Sequence, residues 1–156
     1  MESVIKNQEL YSVAEIALVY RTAVKPSLRP KVTSSRIAYE VLLAGWDEER
    51  IEFVEQFKVL LLNTANRVLG IYELSTGGVA ATVADPRLVF SAALKANASG
   101  IILAHNHPSG NLNPSEADKG LTLKIAGGGK LLDIQVLDHL IVTPEGYYSF
   151  RDEGLI

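Results

Sequence analysis

The sequence predicts an α/β domain in which a mixed β-sheet is flanked by helices on both sides. Residues 101–104 (Ile-Ile-Leu-Ala) show no polar alternation, which is typical of a strand covered on both faces. Segments with helical spacing precede and follow this run, and two β-rich runs separated by a polar turn predict an antiparallel hairpin. Strands and helices that alternate in this way indicate a sheet between two helical layers.

Length and composition fit a single globular domain over residues 1–156. The chain has 156 residues, of which 47% are hydrophobic and 21% charged. We divide it into an N-terminal strand and helix over residues 1–50 and a motif-bearing core over residues 53–156. The chain has no cysteine, which excludes disulfides, cysteine-based zinc sites and thiol nucleophiles.

Charge and hydropathy argue against two further classes of partner, nucleic acids and membranes. Lys and Arg number 15 against 18 Asp and Glu, so the net charge is −3, which argues against direct binding of nucleic acid. No apolar run approaches the roughly 18–20 residues that cross a bilayer, and the polar N-terminus does not resemble a signal peptide. We therefore expect a cytoplasmic protein with no membrane partner.

The first half of the chain carries three predicted elements. Residues 16–20 have the composition of an edge strand, which could pair with a second copy in a homodimer. Thr33, Ser34 and Ser35 are candidate N-caps of a helix that ends near Gly45. Two strands, with a turn at residues 63–66, form the predicted hairpin.

Glu73 lies in the second strand of this hairpin. Strand parity puts it on one face with Leu69 and Ile71, because alternate residues of a strand point the same way. A carboxylate on an apolar face needs a partner, since burying it unpaired is costly. Glu73 is therefore a candidate functional residue; an edge-strand glutamate facing solvent is the alternative.

The second half contains two helices around the buried strand, followed by two strands. Asp85-Pro86 predicts a helix start, with Asp as N-cap. Asn113-Pro114-Ser115-Glu116 predicts another, with Asn113 as N-cap, and this helix is expected to end at the glycines 127–129. A long strand over residues 131–142 and a last strand over residues 147–150 complete the domain.

Two histidines follow the buried strand, at its carboxyl end. His105 and His107 project from the same side of an extended segment, so both imidazoles can reach one point. Asp118 lies in the first turns of the next helix and shares a face with Ser115 and with core-directed residues. Two imidazoles and a carboxylate suit one zinc ion per chain, with a fourth position open for water.

A metal-activated water needs a base, and Glu73 is the candidate. Ser115 could donate a hydrogen bond to the developing oxyanion, although it could equally serve only as a helix cap. His139 alternates with Leu137 and Ile141, so a structural role is the default for it. Asn106 points away from its two histidine neighbours and is expected to order the loop.

These residues resemble the JAMM (MPN+) metallopeptidase motif. His105-x-His107, Ser115 and Asp118 match it position for position, and the stretch 102–110 with the later 136–139 (Val-Leu-Asp-His) is similar to the RadC branch of that superfamily. The similarity runs from about Phe53 to Ile156. The region of full-length RadC proteins that forms a helix-hairpin-helix has no counterpart in this sequence, which therefore resembles the short forms.

The resemblance implies a cytidine-deaminase-like α/β/α fold, zinc held by His105, His107 and Asp118, and Glu73 as general acid and base. It also implies hydrolysis of a peptide or isopeptide bond in a peptide or protein substrate. Two alternatives stay open: a metal-binding interaction module without turnover, and an accessory protein of DNA repair or mobile elements. Specificity is expected to lie in loops at 28–33, 76–79 and 111–113.

Overall fold

The computed structural model describes residues 12–17, 19–77 and 84–156, which form a five-stranded mixed sheet between two helical layers. The order across the sheet is β2-β1-β3-β4-β5; β3 and β4 are parallel, and the other neighbours are antiparallel. The predicted α/β architecture is confirmed. The elements are β1 (Gln56–Leu62), β2 (Val68–Thr76), β3 (Gly100–Asn106), β4 (Gln135–Thr143), β5 (Gly146–Ser149), α1 (Ser35–Ala44), α2 (Pro86–Lys95) and α3 (Glu116–Leu131).

Strand β3 separates two apolar cores, as its uniform apolar sequence predicts. Ile101 and Leu103 pack in a core that includes Val89 of α2 and Ile125 of α3. Ile102 and Ala104 pack on the other face, in a core that includes residues of α1. Both faces of β3 are thus removed from water, and its carboxyl end is held rigidly between the two layers.

Each of these three α-helices is preceded by a residue whose side chain accepts a hydrogen bond from the first turn. Ser34 caps α1, Asp85 caps α2 and Ser115 caps α3. The first two starts are confirmed. The prediction for α3 is wrong by two residues, because Ser115 rather than Asn113 is the N-cap, and it forms a capping box with Asp118.

The end of α3 also differs from the prediction. The helix continues through Gly127, Gly128 and Gly129 to Leu131, and β4 begins only at Gln135. A β-carbon at Gly128 would lie 2.8 Å from the ring of Phe90, and one at Gly129 would collide with the carbonyl of Ile134. These two glycines therefore permit close packing rather than ending the helix.

Strand β2 carries two irregularities that change its alternation. Phe57 pairs with Ser75 and Lys58 with Glu73, so Leu74 is bulged out of the ladder and joins the core beneath α2 and α3. A second shift leaves Leu69 outside the pairing, and it packs against the same core. The prediction that Leu69 shares a face with Ile71 and Glu73 is therefore wrong.

The N-terminal strand predicted over residues 16–20 is not seen in the structure. Leu18 lies outside the described residues, and residues 12–17, 19 and 20 have no strand assignment. Ile16 is exposed, and the hydroxyl of Tyr20 donates to the carbonyl of Leu69 without a backbone ladder. The predicted homodimer contact is thus left without the strand on which it depended.

No helix within residues 12–17, 19–77 and 84–156 combines the length and apolar character that crossing a membrane would require.

Candidate metal centre

The two histidines lie at the carboxyl end of β3, next to the start of β1. His105 is the sixth residue of the strand and is almost fully buried, and its side chain faces the α2 and α3 layer because it pairs with Phe57. His107 follows two residues later and is half-buried. The Nε2 atoms of His105 and His107 are 3.0 Å apart, so both rings reach the same point, as predicted.

Asp118 reaches this point from the first turn of α3. Its Oδ2 atom lies 3.4 Å from Nε2 of His105 and 3.8 Å from Nε2 of His107. The same oxygen accepts the backbone N–H of Ser115, and Ser115 Oγ accepts the N–H of Asp118, so the capping box fixes the carboxylate. The structure therefore brings together all three side chains that the sequence predicts as ligands.

The spacing of these atoms fits a tetrahedral ion. Ligand atoms about 2.0–2.1 Å from zinc at tetrahedral angles are about 3.3 Å from one another. The three observed separations are 3.0, 3.4 and 3.8 Å. A single small cation can therefore contact all three atoms with shifts of a few tenths of an ångström.

The hydrogen bonds of His107 leave its Nε2 lone pair free for a cation. Its Nδ1 atom is 2.5 Å from the carbonyl oxygen of Asn111, and a carbonyl can only accept, so Nδ1 carries the proton. Burial lowers the pKa of His107, which favours the neutral ring. The Nε2 lone pair of His107 faces an imidazole nitrogen of His105 and the carboxylate of Asp118. A positive ion between these three atoms would be stabilised by all of them.

The carboxyl group of Asp118 remains ionised next to the histidines. Burial acts to raise its pKa, but the contact with His105 and the two hydrogen bonds with Ser115 outweigh burial and hold the pKa well below its usual range. A carboxylate that stays charged at low pH is a competent metal ligand over the physiological range.

Glu55 is a candidate functional residue that sequence reasoning missed. It immediately precedes β1 and is 8% exposed, and its carboxylate forms a group with the side chains of His105 and His107 whose ligand atoms all lie within 4.8 Å of one another. Burial raises the pKa of Glu55, and the nearby His105 only partly offsets this. Strand parity in the sequence puts Glu55 on one face with Phe57, but it takes the pairing of Phe57 with His105 in the structure to bring that face to the histidines.

Glu73 does not lie beside the histidines, and its predicted position is corrected. It pairs with Lys58, which pairs in turn with Ala104, whereas His105 pairs with Phe57 on the opposite face of the sheet. Its Oε1 atom accepts hydrogen bonds from Gln56 Nε2 and Thr76 Oγ1, both at 2.8 Å. The carboxylate of Glu73 is therefore partnered by the nearby side chains of Gln56 and Thr76. Glu73 is also exposed to solvent rather than buried on an apolar face.

Asn106 holds the segment that carries Glu55. Its Oδ1 atom accepts the N–H of Gln56, and its Nδ2 atom donates to the carbonyls of Ile51 and Val54, all within 2.8 Å. Both chain neighbours of Glu55 are thus hydrogen-bonded to the residue between the two histidines. The sequence predicted that Asn106 orders the loop of the two histidines, whereas its side chain orders the segment that leads into β1.

The predicted specificity loops have unequal relations to the site. The loop 111–113 contacts it directly, because Asn111 accepts the hydrogen bond from His107. The loop 28–33 leads instead to a bridge between Lys31 and Arg67 at the other end of β2. Residues 78 and 79 of the third loop lie outside the described residues.

Comparison with known families agrees with the motif and the fold. The RadC-like JAB domain family matches residues 32–155. A UPF0758 protein of Flavobacterium johnsoniae is 50% identical over 125 residues, covering 80% of this chain and 53% of the relative. A UPF0758 protein of Symbiobacterium thermophilum is 38% identical over 144 residues, covering 92% of this chain and 60% of the relative. A third, from Methanosarcina mazei, is 36% identical over 151 residues, covering 97% and 64%.

The chain thus spans about half to two thirds of the length of these relatives, and their names state no activity. The family match covers most of the chain and includes every residue of the candidate metal centre. This chain belongs to the family of RadC-like JAB domain proteins.

Proposed function

We propose that this domain is a zinc-dependent hydrolase of the JAMM class that cleaves a peptide or isopeptide bond. His105, His107 and Asp118 hold the ion, and Glu55 takes the role of general acid and base for which the sequence suggested Glu73. The observation that carries the proposal is the convergence of two imidazole nitrogens and one carboxylate oxygen beside a second, buried carboxylate.

The donor set suits zinc. Two neutral imidazoles and one carboxylate leave one of four tetrahedral positions open, which is the composition of a catalytic rather than a structural site. When bound, zinc supplies a Lewis acid that lowers the pKa of water to about 7. The remaining chemistry falls to side chains of this chain.

Glu55 accepts a proton from the attacking water at its carboxylate and returns it to the leaving amine. A group that both accepts and returns a proton works best when its pKa lies above that of an ordinary carboxylic acid and closer to the operating pH. Burial raises the pKa of Glu55 and so shifts it in that direction. Asn106 accepts from the N–H of Gln56 and donates to the carbonyl of Val54, and these bonds to both neighbours of Glu55 fix the carboxylate in place before the substrate arrives.

Ser115 is suited to stabilise the oxyanion that develops on the substrate carbonyl. Its oxygen accepts the N–H of Asp118, which leaves the hydroxyl proton to donate either to the Asp118 carboxylate or to a substrate, and the residue is exposed. A positioned hydroxyl donor can lower the barrier of acyl transfer. Helix capping and oxyanion binding are therefore compatible roles.

The substrate we propose is a peptide or protein, in keeping with the JAMM resemblance. Direct binding of nucleic acid is disfavoured, because the net charge of the sequence is −3. The homodimer that the sequence suggested stays a prediction, and the zinc stoichiometry we propose is one ion per chain.

The first test measures zinc content and hydrolysis in matched variants. Protein purified without chelators should contain one zinc per chain, and it should cleave a mixture of peptide and isopeptide-linked substrates. Glu55→Gln should keep the metal and lose hydrolysis by about 10²- to 10⁴-fold, since it removes the base. His107→Ala should lose the metal, and Glu73→Gln is the matched control that keeps both.

The outcomes separate the alternatives. Hydrolysis that survives Glu55→Gln but not Glu73→Gln would reject the base assigned here. A stoichiometric zinc content with no turnover of any amide substrate would favour the metal-binding interaction module. Binding of DNA that weakens steeply with salt would favour the accessory role.

A further inference from the structure

A buried hydrogen-bonded chain joins one metal ligand to the backbone of another. His105 Nδ1 lies 2.8 Å from His139 Nε2, and His139 Nδ1 lies 2.6 Å from Thr122 Oγ1. The hydroxyl of Thr122 lies 2.7 Å from the carbonyl oxygen of Asp118. The chain therefore runs from β3 through β4 to the first turns of α3.

The direction of every hydrogen bond in this chain follows from its last acceptor. The Asp118 carbonyl can only accept, so the Thr122 hydroxyl donates to it, as threonine commonly does to the carbonyl four residues earlier in a helix. Thr122 Oγ1 must then accept from His139 Nδ1–H. With its one proton on Nδ1, a neutral His139 accepts at Nε2, and His105 must donate from Nδ1.

Burial keeps His139 neutral. The ring is inaccessible to solvent, it stacks on Phe150 with centroids 4.6 Å apart, and it meets the edge of Phe57 at 5.6 Å. His105, His107 and Asp118 are the titratable groups facing it, and the two ring nitrogens of His139 contact only His105 and Thr122. A charged imidazolium without a carboxylate partner would be expensive in these surroundings.

We infer that His139 and Thr122 are positioning residues that hold His105 in the Nδ1–H tautomer and so present its Nε2 lone pair to the metal. This inference rests on the proposed zinc site and deepens it. In the opposite tautomer, the Nε2 proton of His105 would point at the ion and at the equivalent nitrogen of His107. The carbonyl of Asn111 fixes the Nδ1–H tautomer of His107 in the same way, because it accepts a hydrogen bond from that nitrogen.

The first measurement is zinc affinity, determined by competition with a chromophoric chelator on metal-free protein. Thr122→Val keeps the shape of the side chain and removes the hydroxyl, so His139 loses the acceptor that fixes its tautomer. Zinc affinity should fall, by up to the roughly 10- to 100-fold that the loss of a hydrogen-bond partner of a metal-binding histidine costs, because His139 no longer keeps its acceptor nitrogen toward His105. Thr122→Ser restores the hydroxyl and should restore affinity.

Ser91→Ala is the matched control. Ser91 Oγ donates to the carbonyl of Arg87, four residues earlier in α2, in the same kind of bond but with no histidine attached. It should leave zinc affinity unchanged. A purely structural role for Thr122 would predict the same result for Thr122→Val, with a loss of thermal stability alone.

The second measurement reads the tautomers without metal. Imidazole ¹⁵N chemical shifts of the metal-free protein should show a protonated Nδ1 for His105 and for His139, and an unprotonated Nε2 for His139. In Thr122→Val this pattern should be lost at both rings, and in Thr122→Ser it should be kept. His139→Phe tests the same link by replacing the ring with an apolar one.

The outcomes distinguish this inference from the proposed activity. A wild-type protein that binds zinc but cleaves nothing would leave the inference standing and reject the hydrolase. Unchanged zinc affinity and unchanged tautomers in Thr122→Val would overturn the inference while leaving the hydrolase intact. A wild-type protein that binds no zinc would overturn both.

Discussion

Glu55 owes its position to a single buried side chain. The amide of Asn106 makes three hydrogen bonds, and all three go to backbone groups of the segment that leads into β1. Asn106 also lies between His105 and His107 in the chain, on the opposite face of the strand. One residue thus couples the placement of the metal ligands to the placement of the proposed base.

Replacing Asn106 with alanine should reduce hydrolysis without removing the metal. The change leaves three buried backbone groups without partners, which costs about 1–3 kcal/mol for each group that water cannot reach. We expect a lower free energy of unfolding in urea, a zinc content like that of wild type, and a marked fall in kcat. Asn113→Ala, at an exposed asparagine, is the control; wild-type kcat in a folded Asn106→Ala protein would refute this coupling.

At the residue scale, sequence alone could place the candidate ligands but not the candidate base. His105, His107 and Asp118 are related by strand and helix periodicity, and both are local properties of the chain. Choosing between Glu55 and Glu73 requires the pairing of β1 with β3 and the bulge at Leu74, which are set by contacts distant in sequence. The role of His139 likewise depends on the parallel pairing of β3 with β4.

At the element scale, two glycines of α3 differ in whether the packing of the helix requires them. Gly127 is exposed, and nothing would lie within 4 Å of a β-carbon there. Gly129 is buried, and its missing β-carbon leaves room for the carbonyl of Ile134, whose N–H donates back to the Gly129 carbonyl. The helix therefore packs closely against the chain that returns toward β4.

Alanine at these two positions should have opposite effects. Gly127→Ala should raise the free energy of unfolding by about 0.5–1 kcal/mol, because alanine loses less backbone entropy in a helix. Gly129→Ala should lower it by about 1–3 kcal/mol, because the new methyl group forces the following turn away. Urea denaturation of both variants checks the pair, and equal effects at the two positions would contradict the packing described here.

The first residues of helices were predictable where a side chain that can cap the helix precedes them in the sequence. Ser34 and Asp85 satisfy N–H groups of the first turn, which is a local interaction. The end of α3 was not predictable, because a glycine that breaks a helix and a glycine that permits close packing look alike in sequence. The strand expected at residues 16–20 failed for a related reason: β-propensity needs a paired neighbour, and none is found among the described residues.

At the scale of the whole molecule, Lys58 places a charged side chain on the α1 side of the sheet, opposite the candidate metal centre. Lys58 is nearly buried on the α1 face, with its Nζ atom 4.5 Å from the centroid of the Trp46 ring. Burial lowers the pKa of Lys58 below its ordinary value of 10.5, although Glu73 and Asp47 act in the opposite direction. The folded protein therefore releases this proton at a lower pH than the unfolded chain does.

The stability of the protein should consequently depend on pH in the alkaline range. Between the lowered pKa of Lys58 and 10.5, the unfolded state binds more protons than the folded state, so the contribution of Lys58 to stability rises with pH. The free energy of unfolding of wild type relative to Lys58→Met should increase as pH rises from about 7 towards 10.5. A difference that stays constant over this range would mean that burial does not shift the pKa of Lys58.

The most direct test of the central claim is the position of zinc in a crystal of the metal-loaded protein, located by anomalous diffraction at the zinc edge. We expect one peak per chain, about 2.0–2.1 Å from Nε2 of His105, Nε2 of His107 and Oδ2 of Asp118. The carboxylate of Glu55 should lie beyond coordination distance, beside the open position. A peak ligated by Glu55 in place of Asp118, or no peak at these side chains, would contradict the account.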